Sequence, residues 1–488
     1  MVEPKIHTAR LIMTNIQTIK DIISPPSDNW LGHLNTLKGL QAHSRLSAWS
    51  DQYDGFYRIR LAHKQALVIG KPDLVQRILE QRPDHFRRRS DIETIFKELG
   101  LNGLFSMEGE TWKKQRPLFN PAFNGANLRY FFPIMSQITD RLIDKVRNMA
   151  RSEQVVDIKA LLTLYATDLI SSLTFGYDLN SLQGQNTELH QHLAAVFPGI
   201  YARLTSPIPL WRVYKTQQDR QFEQSVAAIK GFLKERVANT RQQLADNPTL
   251  AEAPENLLQA IIAEQNKHPD LLTDEDILAN ALTILIAGEE TTATSLAWLS
   301  HLLTTHCDIQ QQLHSEMAKL SEQDLKHWPL PRTPLLTACI HESMRLKPVA
   351  PILFIEPKED TQLENTAIPA GTPLILLLSS FNQDQARFKD SRCFNPHRWL
   401  EDDACKVKDM IPFGAGARRC PGRSLALLEM KLGMSRLLKA FELEGIDSHK
   451  VEEQFIFTVM PEHLSVRFKE RTFSHEELGS IDDSAPPT

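Results

Sequence analysis

Cysteine is scarce in this chain: Cys307, Cys339, Cys393, Cys405 and Cys420 are the five in 488 residues, and no two form a C-x-x-C pair. That spacing fits a reducing cytosol better than secretion. A basic surplus is missing as well, since 55 lysines and arginines face 60 aspartates and glutamates, for a net charge of −5. Nucleic-acid binders carry the opposite balance, so no nucleic-acid partner is expected. No run near the N-terminus approaches the ~20 apolar residues that span a bilayer, so no transmembrane anchor is expected and the protein reads as soluble and cytoplasmic. Ile12, Ile16, Ile19 and Ile23 instead share one helical face before Ser24-Pro25-Pro26. This predicts a helix docked on its own domain, with a weak membrane or partner contact as the alternative. No Gly/Ser-rich linker or repeat divides the chain. Residues 471–488 are polar and acidic with few large apolar groups, the composition of a disordered tail.

Apolar residues make up 42% of the chain, enough for a large core. Helical periodicity dominates, and β-branched or aromatic runs near Phe56–Leu61, Ala66–Ile69, Pro373–Leu378 and Phe455–Val459 read as strands. Strand segments this far apart predict a mainly α fold with a small β-sheet subdomain assembled from both ends of the chain. Strands and helices do not alternate, which disfavours a doubly wound sheet.

Against this background Cys420 stands out, inside Phe413-Gly-Ala-Gly416-Ala-Arg418-Arg-Cys420-Pro421-Gly422. Gly414, Gly416 and Gly422 permit positive φ and close backbone approach, and backbone N–H groups can point at a sulfur there. Pro421 suits a first helical position, and the residues from Ser424 onward run at helical spacing. The cysteine would then sit at a helix N-terminus, where partial positive charge favours a thiolate. A thiolate on haem iron pushes electron density toward O–O cleavage. Arg418 would supply a cation for a haem propionate, and Phe413 would shield the sulfur from water. A buried, inert cysteine in a loop is the plain alternative. The pattern Phe-x-x-Gly-x-Arg-x-Cys-x-Gly, however, arises by chance in a chain this long with a probability on the order of 10⁻⁴. With Ala426 and Glu429 extending it, the segment resembles the signature of the cytochrome P-450 superfamily.

The resemblance implies the P-450 fold in one haem-sized domain over residues 1–470, with haem b ligated by Cys420. No C-x-x-C-H run supports covalent attachment. Many eukaryotic relatives carry an N-terminal anchor that is not seen here, which points to a bacterial type. A capping box at Thr273-Asp-Glu-Asp276 opens a long apolar helix. In its middle stand Gly288, Glu289, Glu290, Thr291 and Thr292, where glycine costs about 1 kcal/mol relative to alanine and unpaired buried carboxylates cost more. Such local conflict marks functional sites. Ala287-Gly288-x-Glu290-Thr291-Thr292 resembles the family's oxygen-activation motif, in which an acid and an alcohol locally open the helix. A threonine hydroxyl bonding back to the Ala287 carbonyl is a physical route to that opening. By the resemblance Thr291 steadies dioxygen and Glu290 relays protons; a solvated acidic patch with ordinary capping alcohols is the alternative.

Glu342-Ser-Met-Arg345 places a carboxylate and a guanidinium on one helical face. Together with Arg398 of Phe394-Asn-Pro396-His-Arg398-Trp, the pair resembles the family's buried triad that locks the cysteine loop. Trp112-Lys-Lys-Gln-Arg116 resembles a propionate-binding W-x-x-x-R helix. Where many relatives place a further propionate arginine, this chain has Ile355-Glu356, so fewer cationic contacts are expected, carried by Trp112, Arg116 and Arg418. The resemblance puts the pocket wall at Phe105, Ala287, Val349, Ala350, Leu353, Ile456 and Phe457, which implies a lipophilic substrate, and a lid at Phe197–Trp211. No Gly-rich dinucleotide or flavin segment follows the cysteine motif. NAD(P)H electrons would then come through a separate ferredoxin or flavodoxin-type donor, meeting Lys113, Lys114, Lys406, Lys408, Arg419, Lys431 and Lys439 on a monomer. The leading expectation is an O2-dependent monooxygenase. A peroxide-driven or peroxide-rearranging haem-thiolate enzyme, and a non-enzymatic haem sensor or lipid carrier, stay open.

Overall fold

The computed structural model describes residues 16–471 apart from 28, 29, 38, 186, 207 and 401–406. Helices dominate, and the strands gather into small sheets beside them. The largest sheet has five strands, in the order Phe56–Leu61, Lys64–Ile69, Leu374–Leu377, Ile352–Pro357, Phe86–Arg88. Early and late segments therefore interleave, as the separated strand signals predict. Leu67 pairs in parallel with Leu374, and the strand Ile352–Pro357 runs antiparallel to Leu374–Leu377. The Phe455–Val459 run is not one strand. It splits into Glu452–Ile456 and Thr458–Glu462, an antiparallel hairpin around Phe457, whose φ of +71° makes the turn.

The helix Asp274–Thr305 is the axis of the molecule. Its Thr273 cap accepts from the Asp276 amide while Asp276 accepts from the Thr273 amide, so the predicted capping box is present. It packs most extensively on the helix Ile158–Phe175 and also meets Pro334–Leu346 and Arg423–Ala440. Leu282, Leu285, Leu296 and Leu299 join the main core there, each buried side chain stabilising the fold by about 1.5–3 kcal/mol. Ile158–Phe175 is the single helix among the described residues long and apolar enough to cross a membrane, and 78% of it is buried in the protein.

The N-terminal expectation needs correction. Ile19–Asp21 is one 3-10 turn, and Gln17 bridges Thr366 as extended chain. Ile16 and Ile23 are 59% and 57% exposed while Ile22 is buried. Pairing with the strand Thr366–Ile368 overrides the helical spacing of these isoleucines. Ile12 and residues 472–488 of the expected tail lie outside the described residues.

Candidate active site

The cysteine loop is built by its glycines. Gly414 and Gly416 have φ of +71° and +66°, and a Cβ on Gly416 would lie 2.6 Å from the Leu79 carbonyl oxygen, so only glycine fits. The Cys420 amide donates to the Phe413 carbonyl at 3.0 Å, closing the loop, and Phe413 packs on the main core. Gly422 departs from expectation. Its φ is −78° and it caps the helix Arg423–Ala440, leaving Pro421 just ahead of the cap rather than at the first helical position. The Cys-Pro-Gly turn delays the helix so that the Gly422 and Arg423 amides can act on the sulfur. Cys420 is exposed by surface area, yet enough protein surrounds its sulfur for desolvation to raise the thiol above its ordinary range. The Gly422 and Arg423 amides and the Arg116 guanidinium pull the other way.

Beside the loop lies a buried arginine cluster. Arg418 pairs with Glu108 at 2.5 Å, donates to the Met107 and Leu104 carbonyls at 2.6 and 3.2 Å, and sits 4.0 Å from the centroid of the Trp112 ring. Arg116 donates to the Arg419 carbonyl at 2.7 Å, so the W-x-x-x-R helix, Gly109–Phe119, braces the loop directly. Arg82 stands 3.6 Å from Glu108, and Arg88 donates to the Phe105 carbonyl at 3.0 Å with its guanidinium over the Phe105 ring. Burial pulls Arg88 down to about 9 and Arg418 to about 10, values at which both remain cationic at neutral pH.

Arg82 and Arg88 are additions that the sequence reading missed. Arg88 is the cross-strand partner of Ile355, so a cation stands opposite the position where many relatives carry theirs. The available signal was the run Arg87-Arg88-Arg89 in Phe86-Arg-Arg-Arg89, unusual for a strand entering the core. The Arg82 and Arg418 guanidiniums share Glu108, which also accepts the Arg88 backbone amide at 3.0 Å, and the Nε atoms of Arg82 and Arg418 are buried without a hydrogen-bond partner among the described residues. Buried donors in positive surplus call for an anion, and the two propionates of a haem fit that demand.

The scaffold residues come together as a triad. Glu342 and Arg345 are 0% exposed and joined by two 2.8 Å bonds, and Arg398 donates to the same carboxylate at 3.0 Å. Trp399, where the family pattern has phenylalanine, adds an indole donor to Glu342 at 2.9 Å. Glu342 is held below the usual carboxylate range: burial opposes ionisation, but the Arg345 and Arg398 contacts outweigh it. Arg345 also donates to the Asn382 carbonyl, and the Asn382 side chain accepts the Ile411 amide at the start of the cysteine loop. Breaking such a network costs about 3–5 kcal/mol.

On the central helix, Thr291 Oγ1 donates to the Ala287 carbonyl at 2.6 Å, as the spacing predicts. The helix nonetheless runs unbroken from Asp274 to Thr305 rather than opening at this point. Ala287 is exposed in the middle of the helix, immediately after buried Leu285 and Ile286. The two acids diverge. Glu289 accepts from Thr167 at 3.1 Å and lies 3.2 Å from His190, whereas Glu290 accepts from the Thr458 hydroxyl. Burial raises the Glu290 carboxyl, against the hydrogen bond from Thr458. Leu104 donates to Asn280 of this helix while its carbonyl accepts from Arg418, so one loop links the helix to the cysteine side.

The expected pocket residues share neighbours in part. Phe105 and Phe457 have ring centroids 5.8 Å apart, and Phe197 of the lid stacks on Phe457 at 5.1 Å. Val349 accepts the Val459 amide next to Ile456 and Phe457, and Ala350 and Leu353 follow it into the strand Ile352–Pro357. Of the expected basic face, Lys114, Lys408 and Arg419 are exposed, Lys431 is half-buried, and Lys406 lies outside the described residues. Lys113 is paired with Asp84 and Glu110. Lys439 leaves the set: it is buried and donates to the Leu320 carbonyl.

A cysteine approached by helix-cap amides, beside an arginine cluster whose positive charge exceeds the negative charge of Glu108, defines a haem-thiolate protein of mainly α architecture. The cytochrome P450 family model matches residues 24–468, and the chain belongs to that family. It is 28% identical over 429 residues to cyclooctat-9-en-7-ol 5-monooxygenase of Streptomyces melanosporofaciens, covering 87% of this chain and 89% of that protein. It is also 28% identical to cytochrome P450 3A6 of Oryctolagus cuniculus, over 78% of this chain and 77% of the relative. Cytochrome P450 734A5 of rice, Oryza sativa, is 27% identical over 81% and 75% of the two chains. The protein is accordingly a haem-thiolate oxidoreductase of the monooxygenase kind.

Proposed function

We propose that one domain over residues 1–470 inserts an oxygen atom from O2 into a C–H or double bond of a lipophilic substrate. NAD(P)H electrons reach it through a separate ferredoxin or flavodoxin-type protein. The observation that carries this reading is the acid and alcohol on the central helix, Glu290 and Thr291, in the same chain as the Cys420 loop. Cys420 would ligate a haem b, held by Trp112, Arg116, Arg418 and the added Arg88, with Phe413, Gly414, Gly416 and Gly422 shaping its sulfur side. When bound, the haem supplies an iron that activates dioxygen with electron push from the thiolate.

This chain's own residues do the rest. Glu342, Arg345 and Arg398 keep the loop rigid. Thr291 presents a hydroxyl proton at Oγ1 beside Ala287, and Glu290, half-buried and inclined by desolvation to hold a proton, replenishes it. Phe105, Ala287, Val349, Ala350, Leu353, Ile456 and Phe457 exclude water and orient an apolar substrate by shape. The Streptomyces relative's name, with cyclooctat-9-en-7-ol in it, supports a lipophilic substrate. Exposed Lys114, Lys408 and Arg419, with Arg423, favour an acidic donor on the cysteine side, where a recess of about 300 Å³ is lined by Lys408, Arg419 and Arg423.

Thr291→Ala tests the reading. With dioxygen and a reconstituted electron donor, peroxide release should rise relative to product. Unchanged coupling, or turnover with hydrogen peroxide and none with dioxygen, would count against it.

A further inference from the structure

The acid of the central helix is held from outside that helix. Thr458, 3% exposed and first in the strand Thr458–Glu462, donates its hydroxyl to Glu290 Oε1. The hairpin carrying it is anchored along its length. Val459 donates to the Val349 carbonyl at 2.8 Å, and its own carbonyl accepts from the Trp298 indole of the central helix at 2.9 Å. Farther from the tip, Glu453 is clasped by His43 at 2.6 Å and Lys347 at 2.5 Å. At the tip, Phe457 adopts a φ of +71°. A bulky residue keeps that conformation only where its surroundings impose it, and here the Phe197 and Phe105 rings do so. Adjacent residues therefore face two ways, Phe457 into the aromatic wall and lid and Thr458 onto the acid.

We propose that Thr458 is a positioning residue for Glu290, and that the packing of Phe457 against Phe105 and Phe197 sets where that carboxylate is held. The proposal rests on the reading of Glu290 as the proton relay. Glu290 is faced by Glu289 from its own helix, by Lys159 from the helix Ile158–Phe175 and by Thr458 from the hairpin. Burial and Glu289 favour the protonated acid, whereas the Thr458 hydroxyl and Lys159 favour the carboxylate. Loss of the hydroxyl leaves burial less opposed, and the carboxyl keeps its proton to higher pH.

The test uses purified holoprotein. Infrared difference spectra identify the Glu290 carboxyl band by its loss in Glu290→Gln, and product formed per electron pair is followed against pH. Thr458→Val should move the Glu290 titration up by about one unit, tenfold in the acid–base equilibrium. Thr458→Ser should restore the parent's titration. Phe457→Ala should shift it in the same direction as Thr458→Val, although its contacts are with Phe105 and Phe197. A parent-like titration in Thr458→Val overturns the proposal and leaves the relay standing if Glu290→Gln still uncouples. Full coupling in Glu290→Gln overturns the relay itself, and the infrared band still reports separately whether Thr458 holds the acid.

Discussion

At the scale of single residues, chemistry is concentrated where side chains conflict with their surroundings. Gly416 cannot carry a Cβ, Arg88 and Arg418 are half-buried cations that the protein desolvates, and Glu290 is a half-buried acid on an apolar helix. The cysteine motif and the acid–alcohol pair were legible in the sequence because each is contiguous. Arg88 was not, because its meaning comes from pairing with Ile355 across 267 positions of chain, a register that no local pattern encodes. If Arg88 carries the contact that Ile355 cannot, Arg88→Leu removes a charged hydrogen bond of about 1.5–3 kcal/mol. Haem transfer to excess apomyoglobin should then run roughly tenfold faster or more, with partial recovery in Arg88→Lys. An unchanged transfer rate in Arg88→Leu would remove Arg88 from the haem site.

At the scale of elements, helix Arg423–Ala440 meets the central helix through a buried acid that the proposed chemistry does not use. Glu429 lies against Thr292, next to Thr291, and burial pushes its carboxyl up from 4.5 to about 8. The unfolded chain loses that proton near 4.5 while the folded chain keeps it to about 8, so stability falls as pH rises through this window. Glu429→Gln keeps the shape without the charge. Its unfolding free energy should lack that decline and exceed the parent's by a few kcal/mol at the alkaline end, measured by urea melts across pH. A variant that declines in parallel with the parent would show that Glu429 is not the group responsible. The sequence disclosed Glu429 as part of the motif, but its partner only the packed helices reveal. Helix existence and caps were readable from periodicity and the Thr273 box, whereas the 3-10 turn at Ile19–Asp21 and the split at Phe457 were decided by strand pairing and a turn conformation.

At the scale of the whole molecule, a net charge of −5 coexists with an exposed basic set, Lys114, Lys408 and Arg419, on or near the cysteine side. A local face opposite in sign to the whole steers a partner of stated charge. Electron delivery from an acidic ferredoxin should therefore slow as ionic strength rises, since surface charges are screened within about 10 Å at 0.1 M salt. A salt-independent stopped-flow rate would contradict an acidic donor docking there. Three strands of the interleaved five-stranded sheet, Phe56–Leu61, Lys64–Ile69 and Leu374–Leu377, were legible, but Phe86–Arg88, Ile352–Pro357 and the strand order were not, because they follow from long-range pairing. All these scales converge on the sulfur of Cys420. The direct measurement is the carbon monoxide difference spectrum of the reduced, purified protein beside its Cys420→Ser variant. The parent should show the red-shifted band of a thiolate-ligated haem and the variant should lose it; a variant that keeps the parent's band would place the iron ligand elsewhere.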